Sequence, residues 1–334
     1  MGCNLMAIRY IFGRAGTGKS YFVLEEIRKK LGEKGDNKLL LLVPKQFTLQ
    51  AERDLIRKQD LKGIMRAEVV SFTKLANHVF NEIGGFTRVP IDELGKNMIL
   101  RKIADESSKE LLIYGSVVRQ DGFIDKLNEL ICEMKQHDVS PIELTMEFNE
   151  MKEGTILRRK LGDIILIYER FNTYLKDKYI DDEDNINLFI ENIDRVKFLE
   201  DAEIWIDGFQ SFTPQMLRVI EKLAQKVKNI TITLTMGLNP GERDKELFYI
   251  SQKTYLEIRT IAKKLGLEEE TINLNMVKRN ILPKAKEIEH IERELYSFPY
   301  EQYIDDVVNL EVFANSNLYT EIENAAAQII HLVR

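Results

Sequence analysis

Residues 7–12 (AIRYIF) form a short β-rich run, and residues 38–43 (KLLLLV) form a continuous apolar one closed by Pro44. A run without alternation suits a strand buried on both faces of a parallel sheet. Between the two, Phe22, Val23, Ile27 and Leu31 recur at helical spacing, and Gly32 and Gly35 end the pattern. A helix over 48–58 and a strand over 68–71 continue the alternation, which predicts an open α/β sheet. From about 86 to 199 the period becomes helical. Phe123, Ile124, Leu127, Leu130, Ile131 and Met134 share one face, as do Leu161, Ile164, Ile165, Tyr168, Phe171 and Leu175. Strand signals return at 203–206 (EIWI), with Trp205 as a core residue, and at 229–235 (NITITLT), with a helix over 214–226 between them. Helices over 246–265, a strand over 309–314 (NLEVFA) and a helix from 318 complete the reading. The expected organisation is an α/β domain of residues 1–85 plus 200–308, interrupted by an all-helical insertion of residues 86–199. Residues 309–334 then open a following domain, since the last helix stops at Arg334 without a stop signal.

The chemistry begins where the first strand ends. Residues 13–20 read Gly13, Arg14, Ala15, Gly16, Thr17, Gly18, Lys19, Ser20 and fill every fixed position of G-x-x-x-x-G-K-[ST]. A strand precedes this segment and a helix starts inside it, as phosphate binding by backbone N–H groups at a helix N-terminus requires. Lys19 is expected to reach the terminal phosphates of ATP or ADP, and the Ser20 hydroxyl to hold Mg²⁺. A second acidic group is needed at the end of another strand, and Asp207, just after EIWI, is the candidate. Asp-Gly is also a common turn dipeptide. Where an active ATPase carries a Glu beside this Asp, the chain has Gly208, with Gln210 two positions on as a possible water or phosphate contact. No other carboxylate stands at a spacing that suits a base.

Composition narrows the setting without naming a partner. The 334 residues, 44% hydrophobic and 31% charged, suit roughly two globular domains of about 150 residues each and exclude a disordered or fibrous chain. No run of about 18 apolar residues spans a membrane. No secretory signal opens the chain, and Met at position 6 argues against myristoylation of Gly2. Two cysteines, Cys3 and Cys132, supply neither a disulfide framework nor a four-thiolate site, so the cytoplasm is expected. The net charge of −6 leaves nucleic acid open, because phosphate contact needs a local basic groove and not a basic average.

Four segments in order, GRAGTGKS (13–20), VPKQFTLQAE (43–52), VVSFTKLA (69–76) and IDGFQSFTPQ (206–215), carry a resemblance. Together they resemble superfamily 1 helicases of the UvrD and RecB kind, and more closely the AddB (RexB) subunits of bacterial AddAB helicase–nucleases. The likeness covers essentially the whole chain, including the acidic stretch at 179–184. It implies a RecA-like P-loop domain (1A-like), a helical accessory subdomain (1B-like) and the start of a 2A-like domain. It further implies action on double-stranded DNA ends in recombinational repair, as a heterodimer with an AddA-like partner. A 4Fe–4S cluster and a nuclease domain are expected only in a C-terminal part beyond these residues. Against active relatives, Asp207-Gly208-Phe209-Gln210 replaces Asp-Glu-x-Gln, residues 236–240 (MGLNP) replace a Gly-Asp-Asp-x-Gln motif, and Asn315-Ser316-Asn317 replaces an Arg-bearing one. Nucleotide binding with little or no hydrolysis is the expectation.

In superfamily 1 the segments after the second and third strands meet single-stranded nucleic acid. Here they are Lys45, Gln46 and Phe47, then Phe72, Thr73 and Lys74, and an aromatic beside a lysine suits stacking and phosphate contact. Both phenylalanines equally suit core positions at helix starts. Readings from other classes are an independent P-loop kinase or GTPase, and a scaffold with a vestigial P-loop. The GTPase lacks a guanine-reading Asn-Lys-x-Asp, and no charged cluster marks a kinase acceptor pocket. The four histidines are scattered and suggest no metal site.

Overall fold

The computed structural model describes residues 7–56, 66–84, 88–237, 246–276 and 284–334. In chain order its elements begin with β1 (Ala7–Phe12), α1 (Lys19–Gly32), β2 (Leu39–Leu42), α2 (Thr48–Ile56), β3 (Ala67–Val70) and α3 (Phe72–Ile83). Next come β4 (Val89–Pro90), α4 (Glu93–Ser107), α5 (Phe123–Gln136), α6 (Pro141–Glu150), α7 (Ile156–Leu175), β5 (Tyr179–Ile180) and α8 (Asp182–Asn192). The last are β6 (Glu203–Ile206), α9 (Pro214–Ala224), β7 (Asn229–Leu234), α10 (Tyr249–Leu265), β8 (Glu268–Asn273), α11 (Lys286–Glu294) and α12 (Leu318–Val333).

Six strands form one sheet in the order β3-β2-β6-β7-β1-β8, and every neighbouring pair is parallel. The apolar runs fill both faces, as a doubly covered parallel sheet requires. Leu40 and Leu42 pack with α3, α8 and α9 on one side, while Leu39 and Leu41 pack with α1 and α2 on the other. Trp205 is buried in β6 and its Nε1 donates to Glu26 of α1 at 2.8 Å. The sheet is thus the open α/β architecture of a RecA-like fold.

Three elements differ from the sequence reading. β8 lies at the sheet edge beside β1, although its sequence, EEETIN, reads as solvated charge; charged residues are what an exposed edge strand carries. The expected strand at 309–314 joins no ladder among the described residues, and without a neighbour its N–H and C=O groups have no strand to pair with. The helical stretch also contains the parallel pair β4–β5. A separate core of α4, α5 and α7 holds it together, whereas Ile186, Phe189 and Ile190 of α8 pack with the sheet, so this core ends ahead of α8 and not at 199.

The chain divides into two compact units, residues 1–239 with 248–279, and residues 240–247 with 280–334. In the second, the Glu287 carboxylate accepts from the backbone N–H of Asn309 at 2.7 Å and from that residue's Nδ2 at 2.9 Å. Asn317 caps α12 by accepting from the Thr320 N–H.

Candidate nucleotide site and nucleic-acid groove

The Gly13–Ser20 loop leaves the carboxyl end of β1, where open α/β sheets bind their ligands. The N–H of Gly13 donates to the Leu234 carbonyl at 3.2 Å, one step beyond the β1–β7 ladder. Gly16 and Gly18 take φ of 76° and 83°, the left-handed conformation that glycine enters without a Cβ penalty. Gly18 is the N-cap of α1, so the turn delivers the chain into that helix. A Cβ on Gly13 would collide with the Thr17 side chain. The Thr17 hydroxyl donates to the Arg14 carbonyl at 3.0 Å. Lys19 Nζ donates to the carbonyls of Gly13 at 2.7 Å and Arg14 at 3.0 Å. Ala15 and Gly16 are exposed at the turn, and the Arg14 guanidinium lies 5.0 Å from the centre of the Phe248 ring.

Asp207 continues β6 by donating its N–H to the Leu42 carbonyl at 3.0 Å. Only 8% exposed, its carboxylate accepts from the Thr233 hydroxyl at 2.5 Å. β7 stands between β1 and β6, and a cavity of about 190 Å³ brings Ser20 and Asp207 together with Gly208, Phe47, Gln50 and Asp54. A hydroxyl and a carboxylate are the hard oxygen donors that Mg²⁺ takes beside nucleotide phosphates, so this pair could hold the ion. Among the described residues no cluster of three or more His, Cys, Asp or Glu could hold a metal unaided.

Gly208 has φ of 83°, so the backbone itself is turned away from the conformation a Glu prefers. Gln210 is exposed and does not line the cavity; its carbonyl accepts from the Thr254 hydroxyl. Sequence reading missed Thr233, Gln50 and Asp54. Gln50 Nε2 donates to Asp54 at 2.9 Å, which gives α2 one polar edge facing the cavity. Of the motif at 236–240, Leu238, Asn239 and Pro240 lie outside the described residues, as does Cys3.

The residues expected to meet nucleic acid do not all converge. Lys45, Gln46, Phe72 and Thr73 line one groove of about 290 Å³ with Asp182, Phe209 and Gln215. Phe47 instead lines the cavity of Ser20 and Asp207. Lys74 turns elsewhere: its Nζ donates to the Val69 carbonyl at 2.8 Å and pairs with Glu52 and Glu68 at 3.3 and 3.4 Å. Phe72 is 5% exposed, with its ring edge-on to Phe209 at 5.6 Å, so it serves the core as well as the groove wall. Lys45 faces Asp182 at 3.4 Å across the groove, with Lys45 largely in solvent and Asp182 half-buried.

The acidic stretch at 179–184 ties the helical core to the sheet. Asp181 caps α8 by accepting from the Asp184 N–H, and its carboxylate takes Lys135 Nζ at 2.6 Å. Burial works against the Lys135 charge, but Asp181 and Asp184 overcome it and hold the ammonium above its usual range. Glu183 accepts from Gln136, pairs with Lys96 at 3.4 Å, and through its carbonyl accepts from Gln215 Nε2 at 2.8 Å.

A G-x-x-x-x-G-K-[ST] loop leaving β1 of a parallel sheet, with an acidic residue two strands away, fits a P-loop module of the RecA-like class. Within that class the comparison is specific: the family described as ADDB, N-terminal, matches residues 10–292, and the chain belongs to it. It is 72% identical over 329 residues to the B subunit of the ATP-dependent helicase/deoxyribonuclease of Alkaliphilus metalliredigens, covering 98% of this chain and 29% of the relative. The corresponding protein of Alkaliphilus oremlandii is 69% identical over the same length, and that of Caldanaerobacter subterraneus subsp. tengcongensis 40% identical over 331 residues. The chain therefore spans under a third of the length of these curated relatives. Among the described residues no helix is long and apolar enough to cross a membrane.

Proposed function

We propose that this chain is the nucleotide-binding, DNA-engaging N-terminal part of a helicase–nuclease subunit. The whole protein would act on double-stranded DNA ends in recombinational repair, in the cytoplasm and with an AddA-like motor as its partner. Any iron–sulfur cluster and nuclease acids would belong to the C-terminal remainder of the protein. The observation that carries the reading is the complete loop Gly13–Ser20 with Lys19 seated on it and Ser20 and Asp207 facing one cavity.

In this reading backbone N–H groups and Lys19 hold the β- and γ-phosphates, and Ser20 and Asp207 share Mg²⁺. Bound Mg²⁺ would neutralise phosphate charge. Gly208 offers no side chain to orient a water, so nucleotide is held with little turnover and strand movement falls to the partner. General-base catalysis is worth about 10²–10⁴-fold and an arginine finger about 10³–10⁵-fold, so a site lacking both is a very slow ATPase. Calorimetric titration of Mg–ATP into the parent and Lys19→Ala proteins, with phosphate release followed on DNA ends, tests the reading. Binding abolished or strongly weakened in the variant is expected, with slow release in the parent. Equal affinity in both removes the nucleotide role, and release on the order of 1 s⁻¹ or faster that depends on Lys19 removes the claim of a poor hydrolase.

A further inference from the structure

The peptide joining Gly13 to Arg14 is held from both sides. Its carbonyl accepts from Lys19 Nζ at 2.7 Å, and its N–H donates to Asn275 Oδ1 at 2.8 Å. In a planar trans peptide the N–H and C=O point in opposite directions, so whatever fixes one fixes the other. Asn275 is thus the group that turns the Gly13 carbonyl toward the Lys19 ammonium.

Asn275 is itself built into place. It sits in the 3₁₀ turn that follows β8, and the β1–β8 register sets Phe12 opposite Asn273, which carries Asn275 level with Arg14. The Asn273 side chain accepts from the Asn275 N–H at 3.1 Å, the Asx arrangement that closes a tight turn. Leu274 between them is 2% exposed and anchors the turn in the core. The Asn275 amide has one orientation that serves its neighbours: oxygen toward the Arg14 N–H, nitrogen toward the Met236 carbonyl at 3.2 Å and Asn273 Oδ1 at 2.9 Å. One side chain therefore joins the phosphate loop to the ends of β7 and β8. Apart from these bonds it is exposed and supports no core packing.

We infer that Asn275 is a positioning residue for nucleotide binding, acting through the Gly13–Arg14 peptide to seat Lys19 against the β- and γ-phosphates. The inference rests on the nucleotide reading above. Without Asn275 the peptide loses the anchor on its N–H side, its carbonyl holds the ammonium less firmly, and nucleotide binding must supply part of the loop's order.

The test is a double-mutant cycle in the full-length chain, using Asn275→Leu, which keeps size and removes all three side-chain bonds, and Lys19→Ala. Mg–ADP and Mg–ATP affinities are measured by calorimetry and folding by thermal melting. Losing a bond that orients a charged group is expected to weaken Mg–ATP about tenfold in the Leu variant, with the melting temperature unchanged. In the Lys19→Ala background the same change is expected to add nothing. Parental affinity in Asn275→Leu, or an equal loss with and without Lys19, overturns the inference while leaving the nucleotide reading intact. A parent chain that binds neither nucleotide overturns both.

Discussion

Replacing Gly208 by alanine separates a missing side chain from a changed backbone. Gly208 has φ of 83°, and a left-handed residue bearing a Cβ costs about 1–2 kcal/mol. A Cβ there would lie 3.5 Å from Pro44 Cδ, an ordinary van der Waals contact, so no clash adds to that cost. At a compatible φ the same substitution stabilises by about 0.4–1 kcal/mol through the unfolded chain. The sign is therefore diagnostic. Gly208→Ala is expected to lower stability by about 1 kcal/mol, which for a unit of this size is a fall of about 2–4 °C in Tm. Gly208→Asn should fall less, because Asn tolerates the left-handed region. Gly208→Glu carries the same backbone cost and sets a second carboxylate beside Asp207, so it should not restore hydrolysis. Urea titration and thermal melting of the four proteins measure this. An Ala variant as stable as the parent, or more so, would refute the left-handed turn and with it the claim that the backbone excludes a catalytic Glu.

Asp182→Asn removes a carboxylate facing Lys45 across the groove, and single-stranded DNA affinity measured by anisotropy should rise about two- to fivefold at low salt, since an exposed charge contact is worth about 1 kcal/mol in water. Lys45→Glu should weaken the same binding more than Lys74→Glu, because Lys74 already faces Glu52 and Glu68; equal losses would overturn that ranking. In the second unit, backbone N–H donation and the Asn309 side chain hold the Glu287 carboxyl down to about 2, below its ordinary 4.5. A depressed folded-state value means its stabilisation is present above pH 4.5 and lost as pH falls toward about 2, so hydrogen-exchange protection of the Asn309 amide should persist at pH 4 and disappear near 2; loss at pH 4.5 would contradict it.

What the sequence made legible was whatever its own neighbours determine. The loop at 13–20 carries its strand, glycines, lysine and serine in one contiguous segment, so motif and geometry coincide. β2 and β6 were legible as buried strands because runs of four and three successive apolar residues admit little else. Thr233 and Asn275 were not, since each acts on a residue 26 or 261 positions away and neither stands in a local pattern. β8 was hidden because its three glutamates read as solvated charge, while the β-like residues of 309–314 find no partner strand among the described residues. α8 was legible as a helix, but not that its apolar face belongs to the sheet.

Gly208 also explains how two cavities can share one loop. Asp207 faces the cavity it shares with Ser20, yet Phe209, two residues on, sets its ring against Phe72 in the neighbouring groove. A chain in ordinary β conformation alternates its side chains across one sheet, so it would send residues 207 and 209 to the same face. The left-handed residue between them breaks that alternation. Pro44 lines both cavities and lies beside Gly208, with Lys45 and Gln46 continuing into the groove and Phe47 into the cavity of Ser20 and Asp207. Gly208 is thus the bend that directs one strand end toward two cavities. A Glu placed there would take the left-handed conformation at the cost given above or straighten the bend that sets Phe209 against Phe72.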